Sequence, residues 1–253
     1  MEAAQDISTQ SLIIAGLLVA IALVFSYWQK LKLEKEIVIS MIRAVVQLVA
    51  IGFVLEWVFG IDSPWFTTFL LLFMTLNAAY NAGQRGKGIE RGFRISFLAI
   101  SMGTIITLAV LVLTGIVQYT PQHMIPIGGM IISNAMVALG LCYKNMRSSF
   151  SDKQSEIEAK LALGADINLA SSQIVRDSIR TGMIPTIDSA KTLGIVSLPG
   201  MMTGLILAGV SPLMAIKYQI MVTFMLLSTT ATASFVACYQ AYRGFYNHRK
   251  QLK

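Results

Sequence analysis

Charge is scarce in this chain: only 13% of its 253 residues are Asp, Glu, Lys or Arg, against 55% apolar. A globule of that size needs more polar surface to meet water, which excludes a soluble fold and leaves lipid to cover much of the chain. Histidine and cysteine number two each. His123 and His248 lie far apart on opposite expected sides of the membrane, so no metal-ligand cluster can be read from spacing, and the metal content stays open. Cys142 and Cys238 fall near the inner ends of two expected helices, where reducing conditions keep thiols, and no disulfide is assigned. No G-x-x-x-x-G-K-[ST] phosphate loop occurs, since GQRGKG at 83–88 has the wrong spacing, and neither HExxH nor GxSxG is found. The chain therefore has no P-loop with which to hydrolyse ATP and no nucleophile or metal constellation of a membrane enzyme.

What is present is a series of apolar runs. The hydrocarbon core of a bilayer is about 30 Å thick and takes about 20 apolar residues of helix per crossing. Runs at 8–28, 37–59, 64–82, 95–117, 124–143, 193–209 and 213–241 meet that length or approach it, which predicts an all-α polytopic membrane protein of about seven spans in a single permease domain over 1–253. The first run lacks the basic front of a cleavable signal and is expected to stay as a helix.

The net charge of +7 follows the same pattern and does not mark nucleic-acid binding. Lys30, Lys32 and Lys35 follow the first run; Arg85, Lys87, Arg91 and Arg94 the third; further basic residues from Lys144 to Lys191 the fifth; and Arg243, Arg249, Lys250 and Lys253 the last. The alternate connections carry no Lys or Arg and hold Glu2, Asp6 and Asp62. By the positive-inside rule the N-terminus is outside and the C-terminus cytoplasmic.

The stretch 144–191 is the one sizeable segment outside the spans, and it holds six of the thirteen acids. Cap chemistry at Ser151–Glu156 precedes apolar residues at helical spacing, which predicts about two short amphipathic helices, punctuated at Gly164 and stopped near Gly182 and Pro185. Glu158, Ala159 and Gly164 stand at the spacing of the coupling loop of many ABC-transporter permeases, with Lys160 where a second alanine is usual.

Longer patterns carry a more specific resemblance. SLPGMMTGLILAGVSPLMAIKYQI at 197–220, MIRAVVQL at 41–48 and IPIGGMIISNAM at 125–136 resemble the Fet-type permease family, over nearly the whole chain from 37 to 245. The resemblance implies a transmembrane subunit of an ABC transporter, linked in bacteria to iron export and resistance to oxidative stress and in plants to aluminium tolerance. It implies a separate ATP-binding partner that holds ATP and magnesium, a homodimer of the permease, and a bacterial-type inner membrane. This chain would carry no cofactor and no enzymatic site of its own. Glu158, Ala159, Gly164, Arg176 and Arg180 would then form the contact with the ATPase.

Polar groups inside spans are costly, about 2.5–3.5 kcal/mol for a charge at a helix centre, and mark candidate positions on a translocation path. Arg43 and Gln47 share a helix face, and Asn77 and Asn81, also four apart, are expected at comparable depth. Asn134 and Glu56 complete the set. Each also has a structural reading: snorkelling for Arg43, helix–helix hydrogen bonding for the asparagines, interfacial exposure for Glu56. Gly200, Gly204 and Ala208 have the spacing of a close helix contact, with a neighbouring helix or with a dimer mate. The alternative class is an ion-coupled secondary transporter or a channel, which would place carboxylates at mid-membrane; the runs contain none there.

Overall fold

The computed structural model describes residues 9–253 with the exception of 62 and 87. The expected helix start at residue 8, the acids Glu2, Asp6 and Asp62, and Lys87 lie outside the described residues. Among the described residues the chain forms nine α-helices and no β-strand, and it divides into two compact units.

The first unit lies within Met1–Asp62 and takes in Leu207–Val210. It holds α1 (Thr9–Trp28) and α2 (Glu34–Phe59), which touch only slightly. Their connection is short because Ser26 stitches it: its hydroxyl donates to Glu34 Oε1 at 2.7 Å and accepts from the Leu33 amide at 3.2 Å. α2 shows its apolar side chains bare over its whole crossing length, Leu48 and Phe53 at 69% and 72% exposure, as a lipid-facing helix must.

The second unit is a bundle of α3 (Pro64–Arg85), α4 (Gly92–Leu113), α5 (Pro121–Asp152), α7 (Ile167–Thr192) and α9 (Pro212–Ala241), with the short α6 (Gln154–Ala162) and α8 (Gly200–Leu207) attached. α5 is its axis and packs on α3, α4, α7 and α9. Its buried residues, Met124, Ile131, Ala135, Ala138, Cys142, Met146 and Phe150 among them, recur every three or four positions, the spacing of one inward helix face. In lipid no hydrophobic effect drives helices together, so close approach and side-chain hydrogen bonds must do so. α4 and α9 meet in that way: a Cβ on Gly103 would stand 3.1 Å from the Thr229 carbonyl oxygen, and the Thr107 and Thr229 hydroxyls share a hydrogen bond of 2.8 Å. Ser96 and Tyr143 join α4 to α5 at 3.0 Å.

Among the described residues four helices, α2, α4, α5 and α9, are long and apolar enough to cross a membrane. Two expected features differ. The segment 144–191 does hold two helices after the end of α5, broken at the Gly164 turn as expected, but the second is longer than expected and packs into the bundle. Its first residues finish α5, which at 32 residues is about 48 Å long, so the cap expected at Ser151–Glu156 does not form. Its last 26 residues are α7, one helix that continues through Gly182 and Pro185 and packs along α5 and α9. The residues α7 buries are small or β-branched, namely Ala170, Ser171, Ile174, Val175, Ser178 and Gly182, and a small face seats a helix in a bundle without a long apolar run. The second difference concerns 193–209, which is helical only over the eight residues of α8, about 12 Å. Positive φ at Gly194 and Gly209, with Pro199 ahead of the helix, breaks the run. A Cβ on Gly200 or Gly204 would meet nothing within 4 Å, so no close contact with a neighbouring helix of this chain is made there among the described residues.

The C-terminal residues fold back over α6 and α7. Phe245 stacks on Phe150 at 4.1 Å, the Tyr246 hydroxyl bonds Ser171 at 2.6 Å, Lys250 pairs with Asp166 at 3.0 Å, and Lys253 reaches Glu90 between α3 and α4. The Lys250 ammonium, hydrogen-bonded to Asp166, holds that carboxyl below its ordinary range, and Lys253 does the same to Glu90. A carboxyl depressed in the folded state contributes stability above its unfolded pKa, and the contribution is lost as pH falls through the folded value. The tail should therefore loosen on acidification below about pH 4. Hydrogen exchange corrected for intrinsic rate should find the Asn247 and Lys253 amides, bonded to Gln251 O and Phe245 O, protected at pH 6 and unprotected at pH 3; equal protection at both would refute the clamp.

Candidate functional site

A cavity of about 320 Å³ opens between α5, α7, α8 and α9 in the second unit. α5 contributes Met130 and Asn134, α7 contributes Thr186 and Ser189, α9 contributes Gln219 and Thr223, and Pro199 to Met201 close one side. No charged side chain is among these lining residues. The site is lined by neutral amides and hydroxyls with thioethers beside them.

Each group has a local reason for its position. Thr223 donates to the Gln219 carbonyl at 2.9 Å and so stays on the same turn. Asn134 Nδ2 donates to the Met130 carbonyl at 2.9 Å, which anchors the amide by its nitrogen. Thr186 meets Thr230 at 3.4 Å and ties α7 to α9 beside the cavity. Pro185 brings no N–H, so the Thr181 carbonyl has no helical donor one turn back. Gln219 Oε1 is buried and accepts no hydrogen bond, an arrangement that costs about 1–3 kcal/mol unless something fills it. Gln219 is one of the residues around the cavity, beside the Asn134 amide and the Thr186, Ser189 and Thr223 hydroxyls, and such a lining suits a solute that exchanges part of its hydration for protein oxygen.

Below the cavity α7 crosses the two cysteines. Both are free and buried, and they neighbour each other. A Cβ on Gly182 would fall on Cys142 Sγ and stand 3.0 Å from the Ala138 carbonyl oxygen, so only glycine fits there.

The expected path residues fare differently. Asn134 lines the cavity. Asn77 and Asn81 bond each other, Asn81 Nδ2 to Asn77 Oδ1 at 2.8 Å, on the exposed face of α3. Arg43, Gln47 and Glu56 are exposed on α2 in the first unit, whereas the two α3 asparagines belong to the second. Glu158 and Ala159 are exposed on α6, Arg176 and Arg180 are exposed on α7, and Gly164 forms the turn between these helices with φ of +90°. Gln219, Thr223, Thr186 and Ser189 were not expected from the sequence. The available signal was an amide four residues before a threonine inside the apolar run of α9.

Long apolar helices packed into one bundle define a multi-pass membrane protein. The chain belongs to the uncharacterised protein family UPF0014, whose model matches residues 9–246. It is 52% identical to "Probable iron export permease protein FetB" of Escherichia coli (strain K12), over 98% of this chain and 95% of that one. It is 40% identical to "UPF0014 membrane protein STAR2" of Oryza sativa subsp. japonica, over 94% of this chain and 84% of that one. It is also 38% identical to "Protein ALUMINUM SENSITIVE 3" of Arabidopsis thaliana, over 94% and 88%. No solved structure matches.

Proposed function

We propose that this chain is the transmembrane permease subunit of an ABC transporter and exports iron with ATP hydrolysed by a separate subunit. The observation that carries the proposal is the 52% identity, end to end, to a protein named a probable iron export permease, together with a polar cavity in the interior. Two copies would pair with two ATPases in the bacterial-type inner membrane, N-terminus outside and C-terminus cytoplasmic, with ATP and magnesium on the partner.

α7 supplies a physical route for coupling. It starts beside the Gly164 turn and reaches the cavity at Thr186 and Ser189, about 30 Å further along at 1.5 Å per residue. Glu158 and Ala159 are exposed next to the turn, and Arg176 and Arg180 are exposed further along α7, so all four are available to a soluble partner. α6 is held to α7 by buried Ile157 and by Lys153 facing Asp177 at 4.0 Å, so the two helices can move as one piece. The cavity lining offers no carboxylate to an ion-coupled carrier.

The test is the ATPase rate of the candidate nucleotide-binding protein, alone and with this chain in lipid, across ferrous and ferric iron, other metal ions and glutathione. Stimulation that needs both this chain and iron supports the proposal; a partner that neither binds nor changes its rate overturns it. Gly164→Val should lower that stimulation at least tenfold with insertion intact, because a β-branched residue resists positive φ. Full stimulation in this variant would remove the turn from the coupling path.

A further inference from the structure

A second cleft, which shares Val137 with the cavity, runs along one side of α5 where it meets the end of α3. Its volume is about 650 Å³. Arg85, the last residue of α3, together with Lys144 and Arg147 of α5 brings three cations to it, and Asp152 is the one acid in the lining. Ser148 donates to Asp152 Oδ2 at 3.0 Å, which turns that carboxylate toward its own helix. Gly140, Lys144, Arg147, Ser148 and Ser151 follow one another at spacings of three, four and one, a single stripe of α5.

The position of Arg85 is built and not accidental. A Cβ on Gly140 would stand 2.8 Å from Arg85 Cδ and 3.0 Å from its Nη1, so the missing side chain at 140 is the slot in which the guanidinium lies. Among the described residues neither Arg85 nor Lys144 has a carboxylate within ion-pair distance. Lower in the same cleft Val137 and Leu141 present hydrocarbon, Val137 at 43% exposure. The cleft thus grades from cationic at the helix ends to apolar toward the middle of α5.

That gradient is the pattern of a phospholipid, anionic at one end and hydrocarbon at the other. We propose that Arg85, Lys144 and Arg147 bind the phosphodiester headgroup of an anionic membrane lipid, with its chain laid along Val137 and Leu141. Basic residues that merely mark the membrane side would attract anionic lipid without shape, at about fivefold per charge. The Gly140 slot adds a geometric demand, because it leaves room beside α5 for the guanidinium fork, which can grip phosphate by two parallel bonds.

Native mass spectrometry of the purified chain, titrated with short-chain phosphatidylglycerol, phosphatidylcholine or inorganic phosphate, tests this directly. Phosphatidylglycerol should bind at least tenfold more tightly than phosphatidylcholine. Arg85→Gln with Lys144→Gln should weaken it about 25-fold. Gly140→Val, which changes no charge, should weaken it at least fivefold, while Arg94→Gln with Arg176→Gln, both outside the cleft, should leave the preference in place. Thermal unfolding of each variant without lipid confirms that it is folded. An undiminished preference in either cleft variant overturns the site. Displacement of the lipid by inorganic phosphate at equal concentration overturns the lipid as its ligand and leaves a free-anion site.

Discussion

Gln219→Leu should reduce transport into or out of sealed vesicles at least tenfold while leaving thermal stability unchanged or raised. The two effects have opposite causes. In the resting protein Gln219 Oε1 is a buried acceptor with no donor, and replacing such a group with hydrocarbon of similar size removes a penalty of about 1–3 kcal/mol. If the amide served only to hold α9 in place, transport would follow stability and improve or stay level. If it receives the solute, the variant loses an oxygen from a lining that includes Asn134, Thr186 and Thr223, and a loss of about 1.4 kcal/mol at the rate-setting step is already tenfold. Gln219→Asn keeps the amide and should restore part of the rate. Wild-type transport in Gln219→Leu would remove this cavity from the path.

The second large effect is structural. Gly182→Val should lower the unfolding midpoint by roughly 2–10 °C, the equivalent of about 1–3 kcal/mol of overpacking in a chain of this size. At Gly182 the added carbons would meet Cys142 Sγ on α5, the Ala138 carbonyl oxygen and, at 3.1 Å, Ser234 Oγ on α9. A backbone carbonyl cannot rotate away, so α7 would have to withdraw from both neighbours. Gly182→Ala should give a smaller loss in the same direction. An unchanged midpoint in the valine variant would mean that α7 does not sit against α5 and α9 as described.

The membrane nature of the chain was legible because long uncharged runs admit few other readings. α2, α4, α5 and α9 stand within a few residues of the runs at 37–59, 95–117, 124–143 and 213–241, although α5 continues to Asp152 and α4 ends at Leu113. The length and burial of α7 were not legible, and the reason is physical. A helix seated by Ala170, Ser171, Ser178 and Gly182 carries its polar residues on the other face and reads as amphipathic surface helix. Gly182 was taken as a stop when its role is to let helices touch. The run at 193–209 misled in the opposite direction, since apolar composition passed for a span where Gly194, Pro199 and Gly209 break the backbone. Of the polar candidates only Asn134 reached the cavity, because a sequence gives depth along a helix but not which neighbours close around it. Cys142 and Cys238, almost a hundred residues apart, could be paired only in three dimensions.

The bare surface of α2 decides how the protein can be handled. Nineteen consecutive positions, 37–55, hold a single charge, Arg43, and at 1.5 Å each they make a column of about 28 Å that water cannot wet without penalty. Any preparation must keep an amphiphile belt of that height around the helix at every stage. A detergent with too short a tail leaves a dry stripe for a second molecule to find, so aggregation during purification would report the choice of micelle before it reported misfolding.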